Sequence, residues 1–142
     1  MKRDTPLSEL MTTNLVTLRA RDTLATAEDL FEAHAFHHLP VVDEQGHLLG
    51  IISKSDLYLL SDRMTLFRAE ANPDHNDRFF RSLFAEEVMV RQVVHLAPTA
   101  TLEAAAALFR QNKFHALPIV DATGRLRGLV TTFDLLELAY PD

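Results

Sequence analysis

A chain of 142 residues with no cysteine, a formal net charge of -6 and 47% hydrophobic residues excludes several classes of protein at once. The length suits one compact domain or two small units sharing a core, and the missing thiols exclude disulfides, thiolate zinc sites and a cysteine nucleophile. The hydrophobic fraction argues against disorder, and the negative charge against a nucleic-acid or anionic-membrane binder, because nothing offsets phosphate repulsion over the whole surface. The opening Met1-Lys2-Arg3-Asp4-Thr5-Pro6 leads into no apolar run of the signal-peptide kind, and no stretch reaches the roughly 18 apolar residues of a membrane helix. The expectation is a soluble cytoplasmic protein.

In chain order, Ser8-Glu9-Leu10-Met11 is followed by Leu15-Val16-Thr17-Leu18, a short β-prone run bounded by Asn14 and by Arg19-Ala20-Arg21-Asp22. Asp22 or Thr23 is placed to cap a helix. Leu24, Ala27, Leu30 and Phe31 form its apolar stripe, with Glu28, Asp29 and Glu32 off that stripe. His37-His38 leads into the strand Leu39-Pro40-Val41-Val42, whose proline suits an edge or first position better than a central one. Asp43-Glu44-Gln45-Gly46 is a turn, Leu48 to Ile52 its hairpin partner, and Ser53 to Asp56 a helix start continued by Leu57, Leu60 and Met64.

The same order then recurs. Phe36-His37-His38-Leu39-Pro40-Val41-Val42-Asp43 reappears as Phe114-His115-Ala116-Leu117-Pro118-Ile119-Val120-Asp121, and the copies align without insertion or deletion. Val93 to Leu96 is the first strand of the second copy, Leu102, Ala105, Leu108 and Phe109 stripe its first helix, and Gly124 closes its turn. Phe133 to Tyr140 is the last helix, stopped by Pro141. The reading is an α/β (α+β) chain of two β-α-β-β-α repeats, 7–60 and 86–140, joined by a partly helical connector, 61–85. A small sheet with helices on one side leaves its other face uncovered, so the repeats are expected to pack face to face about a pseudo-twofold axis. The connector interleaves Phe67, Phe79, Phe80 and Phe84 with Arg63, Arg68, Arg78 and Arg81, around a break at Asn72-Pro73-Asp74-His75-Asn76. Its phenylalanines are read as buried, with arginines reaching a bound phosphate as the second reading.

Two units, each with a helix stripe, an apolar-x-apolar-Pro-apolar-apolar-Asp strand, a Gly-bounded hairpin and a Ser/Thr-x-x-Asp ending, resemble a tandem pair of CBS domains, the cystathionine-beta-synthase regulatory module. The free-standing pair is similar to the small acetoin-utilisation-type CBS proteins. That resemblance implies a regulatory, non-enzymatic sensor of adenine nucleotides, AMP, ADP or ATP, with S-adenosylmethionine or NAD as alternatives and a ligand-free interaction module as the competing class. It implies a homodimer, clefts between the paired repeats, and no required cofactor or metal.

Carried onto this sequence, the resemblance assigns ribose hydroxyls to Asp56 and Asp134, the phosphate side to Ser53 and Thr131, and adenine to Asn14, Val16, Gln92 and Val94. His37 and His115 face the phosphates. His38 adds a contact that its counterpart Ala116 cannot, so the two sites are expected to be unequal. Elementary chemistry agrees: a carboxylate accepts two hydrogen bonds from a cis-diol, and a helix start offers N–H groups to an anion. A histidine beside phosphate gains proton affinity. A metal site at His34, His37 and His38 is disfavoured because the second copy has Asn112 and Ala116 at the outer two positions. The last-helix positions Leu57, Leu60, Met64, Leu135, Leu136 and Leu138 offer a dimer surface, with internal core as their other reading.

Overall fold

A computed structural model describes residues 2–66 and 73–141. After a 3-10 turn at Leu7–Glu9 the elements are β1 (Leu18–Arg19), α1 (Leu24–Ala33), β2 (His38–Val42), β3 (Leu48–Ser53), α2 (Lys54–Leu66), α3 (Pro73–Ser82) and α4 (Ala85–Val88). The second copy supplies α5 (Leu102–Phe109), β4 (Ala116–Val120), β5 (Leu126–Thr131) and α6 (Thr132–Ala139). The mixed α+β class is as the sequence predicts, and the α-β-β-α order occurs in both copies, with the leading strand formed in the first copy and reduced to a single bridge in the second. No helix among the described residues is long and apolar enough to cross a membrane.

Local rules account for most element ends. Of the two candidate caps for α1, Thr23 performs the task, its hydroxyl accepting from the Thr26 N–H at 3.3 Å, while Asp22 closes the preceding turn by accepting from the Arg19 N–H at 2.8 Å. Thr101 caps α5 in the same way, accepting from the Ala104 N–H at 3.2 Å. Gly46 and Gly124 turn the two hairpins at φ of +86° and +87°, a region that costs other residues strain.

The first strands are shorter than the apolar runs suggest. Leu18–Arg19 pairs parallel to Val41–Val42, and its counterpart is a single parallel bridge, Leu96 to Ile119. The prolines explain this. Leu96 donates to the Pro118 carbonyl and accepts from Val120, so the next bond back along the ladder would need an N–H on Pro118. Pro40 stands in the same relation to Leu18. It sits within the central strand of the β1-β2-β3 sheet, against the expectation of an edge position, and is tolerated because β1 ends where the missing donor would be needed.

The connector is partly helical, as expected, but its second half is broken. Helix α3 stops at Ser82 and α4 begins at Ala85, because Phe84 is extended and bridged to Thr23 while the Leu83 carbonyl accepts from the Leu24 N–H. Phe80 is 1% exposed and Phe79 is partly buried, both packed with α1 residues. The Arg21 guanidinium lies 4.3 Å from the centre of the Phe84 ring. Arg78 and Arg81 are exposed, and Phe67, Arg68, Asn72 and the Arg63 side chain lie outside the described residues.

The chain forms two compact units that differ from its sequence repeats: Met1–Leu15 with Gln45–Leu48 and Val93–Asp142, and Val16–Glu44 with Leu49–Gln92. The segment leading into each repeat thus belongs with the other repeat's hairpin. Thr12 bridges Leu129, and Ile51 bridges Val90. Two glycines admit these segments: a Cβ on Gly128 would lie 2.5 Å from Met11 Sδ, and one on Gly50 would lie 2.6 Å from Met89 Sδ and 2.7 Å from the Val90 carbonyl oxygen. One core holds Leu18, Leu24, Phe31, Leu39, Ile52 and Phe80; the other holds Leu7, Ala105, Phe109, Leu117, Ile119 and Val130.

Asp121 secures the second hairpin turn. Its carboxylate accepts from the Thr123 hydroxyl (2.6 Å), Arg127 Nε (2.6 Å) and the N–H groups of Thr123 and Arg125. The Thr123 hydroxyl foremost, then Arg127 and the two N–H groups, outweigh desolvation and hold this carboxyl well below the usual range. A carboxyl depressed on folding stabilises above its unfolded pKa, and that contribution is lost as pH falls through the folded value. Asp121→Asn is therefore expected to lower the melting temperature at neutral pH, with the gap from wild type narrowing below the carboxylate range. Equal melting temperatures at pH 7 would remove the carboxylate from this role.

Candidate functional site

The two strand-to-helix junctions hold most of the residues singled out in the sequence. At the first, β3 ends on Ser53, whose hydroxyl accepts from the Asp56 N–H at 3.1 Å and lies 3.2 Å from the Ser55 hydroxyl. The Lys54 N–H donates to the His37 carbonyl at 2.8 Å, which ties the histidine's backbone to the start of α2. His37 is exposed and His38 half-buried with a partner of its own.

The second junction repeats this geometry with one addition. The Thr131 hydroxyl accepts from the Asp134 N–H at 3.1 Å, and the Thr132 N–H donates to the His115 carbonyl at 3.0 Å. Here Asp134 also returns a bond, one carboxylate oxygen accepting from the Thr131 N–H at 2.9 Å in a reciprocal capping box. Among the described residues no such return bond runs from the Asp56 carboxylate. Both caps are made by the hydroxyl and not by the aspartate, which leaves Asp56 its oxygens and Asp134 part of its accepting capacity. The inequality of the two sites therefore has a source besides His38 against Ala116.

The proline effect bears on Val16 and Val94. By the ladder pattern, an N–H at position 40 would donate to the Val16 carbonyl and one at 118 to the Val94 carbonyl. Neither exists, so each first-strand segment keeps an acceptor that the sheet does not use. Val94 is also 44% exposed, an apolar side chain beside a carbonyl that has no partner among the described residues, and Val16 is half-buried. Asn14 and Gln92 are exposed.

The unit built on β2 and β3 thus gathers Val16, His37, His38, Ser53, Asp56 and Gln92, and the unit built on β4 and β5 gathers Asn14, Val94, His115, Thr131 and Asp134. Two features escaped the sequence reading: the carbonyls released by the prolines, and the reciprocal bond of Asp134. Pro40 and Pro118 signal the first; the second depends on a rotamer that Ser53-x-x-Asp56 and Thr131-x-x-Asp134 share no sign of. His34 is stacked on Phe36 with ring centres 4.9 Å apart, and no group of three or more metal-binding side chains occurs among the described residues.

Of the supposed dimer-surface positions, Leu57 is buried, and Leu60 and Leu135 pack against the cores. These are internal because they lie on the core-facing side of their helices. Leu136 and Leu138 are exposed, together with Tyr58, Leu59, Phe133 and Tyr140, which the sequence reading did not nominate. The Met64 side chain lies outside the described residues.

Paired α+β repeats, each with a hydroxyl-capped helix start and an exposed histidine at its strand-to-helix junction, define a duplicated α+β module. The family model for the CBS domain matches residues 7–61 and 85–140, and the chain belongs to the CBS-domain family. A CBS domain-containing protein of Dictyostelium discoideum is 36% identical over 132 residues, covering 93% of this chain and 89% of that one. Inosine-5'-monophosphate dehydrogenase of Mycobacterium tuberculosis is 32% identical over 133 residues, 89% of this chain but 21% of that enzyme. Among solved structures, a putative acetoin utilization protein from Vibrio cholerae superposes with a TM-score of 0.77 at 31% identity, covering 96% of this chain and 91% of that one. The cytosolic domain of the Mg2+ channel MgtE in complex with ATP gives 0.70 at 27% identity, covering 96% of this chain and 49% of that one. CBSX2 in complex with AMP gives 0.78 at 24% identity, covering 96% of each, a likeness of fold.

Proposed function

We propose that this chain is a regulatory, non-enzymatic module that binds an adenine nucleotide, AMP, ADP or ATP, and passes its occupancy to a partner protein or to its own conformation. The observation that carries the reading is the pair of junctions where Ser53 and Thr131 cap a helix, with Asp56 and Asp134 in its first turn. In this reading each aspartate accepts from the ribose cis-diol. The hydroxyls and helix-start N–H groups lie toward the phosphate, and His37 or His115 flanks it. The carbonyls of Val16 and Val94 accept from the adenine amino group, and Asn14, Gln92 and His38 border the ligand. The ATP complex of MgtE's cytosolic domain supports this ligand class. S-adenosylmethionine and NAD share the adenosine part and are the alternatives within it.

Calorimetric titration with AMP, ADP, ATP and S-adenosylmethionine tests the reading. Heat and thermal stabilisation by at least one nucleotide are expected; neither at millimolar ligand would overturn it. Asp56→Ala and Asp134→Ala are each expected to weaken one class of site by about tenfold or more, the cost of a charge-assisted hydrogen bond. The two differ in stability. Asp134→Ala also removes the return bond to Thr131 and is expected to lose about 1 kcal/mol, while Asp56→Ala is expected to stay within about 0.5 kcal/mol of wild type. Chemical denaturation of both variants without ligand separates the effects, and equal losses would contradict the assignment.

The reading includes a homodimer in the cytoplasm, supported by the exposed Tyr58, Leu59, Phe133, Leu136 and Tyr140. The competing class, a dimerising module without ligand, is distinguished by the nucleotide titration alone.

A further inference from the structure

We infer that the two junctions divide the nucleotides by charge: the first, at Ser53 to Asp56, takes a nucleoside di- or triphosphate, and the second, at Thr131 to Asp134, takes a nucleoside with a single phosphate. This rests on the adenine-nucleotide reading above and deepens it by naming the ligand class of each site. The junctions share one backbone geometry. In each, a hydroxyl accepts from the aspartate N–H at 3.1 Å. In each, the first N–H of the helix donates to the histidine carbonyl, at 2.8 Å from Lys54 to His37 and at 3.0 Å from Thr132 to His115. The anchors for a ribose and a first phosphate are therefore alike, and a difference in preference has to come from the side chains around them.

Those side chains differ at three equivalent positions, all in the same direction. Lys54 stands where the second copy has Thr132, Ser55 where it has Phe133, and His38 where it has Ala116. The first junction thus holds a full positive charge, a hydroxyl 3.2 Å from that of Ser53, and a second imidazole. At the same positions the second junction has one hydroxyl and no cation, and neither Phe133 nor Ala116 has a side-chain donor. Lys54 is also poorly placed for the helix alone. It is the first residue of α2, the end where the helix dipole disfavours a cation, and it has no ion-pair partner among the described residues. Its Nζ lies 5.7 Å from the centre of the Tyr58 ring, near the outer limit of a cation–π contact. A polyanion at the helix start supplies the missing counter-charge. AMP brings one phosphate, which the shared anchors satisfy; the β- and γ-phosphates need further cations and donors, and these belong to the first junction. On a chain of net charge -6, a triphosphate without them meets repulsion.

Calorimetric titration of the full chain in magnesium-free buffer reads the ratio of the AMP and ATP dissociation constants at each site, with Asp134→Ala isolating the first and Asp56→Ala the second. The first site is expected to bind ATP about tenfold tighter than AMP, and the second to bind the two within about threefold of each other. Lys54→Thr added to Asp134→Ala is expected to bring the ratio at the first site within about threefold. Thr132→Lys added to Asp56→Ala is expected to create a preference for ATP of about fivefold or more at the second, a gain that a misfolded variant cannot produce. Circular dichroism checks that each variant is folded. A wild-type chain that binds neither AMP nor ATP at millimolar concentration overturns the adenine-nucleotide reading together with this one. Nucleotide binding with equal ratios at the two sites, or with ratios that neither exchange of Lys and Thr alters, overturns the division between the sites alone.

Discussion

Gly50→Ala is expected to lower the melting temperature by roughly 10 °C, the equivalent of about 3 kcal/mol for a chain of this size. The added methyl would lie 2.7 Å from the Val90 carbonyl oxygen, a backbone atom held by the paired bonds between Ile51 and Val90, at 3.0 and 3.1 Å. It would also meet Met89 Sδ at 2.6 Å, but that side chain is able to swing aside while the carbonyl is not. Gly128→Ala is the instructive companion. Its contacts are all with the Met11 side chain, Sδ at 2.5 Å, Cγ at 2.6 Å and Cβ at 2.9 Å, so a smaller loss of about 1–2 kcal/mol is expected. A second substitution separates the cases. Met11→Ala is expected to recover part of the Gly128→Ala loss, whereas Met89→Ala is expected to recover little at Gly50. Equal recovery in thermal melts at both glycines would show that backbone contact is not what limits Gly50.

Phe80→Ala is expected to cost about 3–5 kcal/mol, the range for emptying a fully buried aromatic site. The side chain is 1% exposed and shares a core with Leu18, Leu24, Ala27 and Phe31, so its loss leaves a cavity between α3 and the α1 layer. Phe79, only partly buried on the same helix, is expected to cost less than half as much on truncation. Urea denaturation measures both. A Phe80→Ala variant as stable as wild type would mean that the segment after α2 is dispensable for folding, contrary to its place in the core.

Much of this was legible beforehand because it is decided within a few residues. Thr23 and Thr101 cap helices by reaching N–H groups three positions on, Gly46 and Gly124 take a positive φ, and Ser53-x-x-Asp56 and Thr131-x-x-Asp134 stand at strand-to-helix junctions. The apolar stripe of α1 was readable for the same reason, since periodicity is a local property. Pro40 was misplaced because a proline's tolerance depends on how far the neighbouring strand extends, which the proline's own surroundings do not state. Leu57 and Leu135 were candidates for a surface because an amphipathic pattern tells one side of a helix from the other without saying which partner covers it.

By itself, then, the sequence determined the duplication, the order of strands and helices in each copy, and the two junctions where ligand-binding chemistry is proposed. Those are fixed by short-range backbone preferences and by hydrogen bonds closed over three or four residues. Only the tertiary structure decided that each repeat's leading segment joins the other repeat's hairpin, Met11 against Gly128 and Met89 against Gly50. It also decided that Phe80 is core, that Asp134 but not Asp56 closes a capping box, and that Leu136 and Tyr140 stand exposed on α6. Which segment fills the space beside a glycine, and which face of a helix stays uncovered, depend on contacts between residues far apart in the chain, where two related copies offer two similar places to dock.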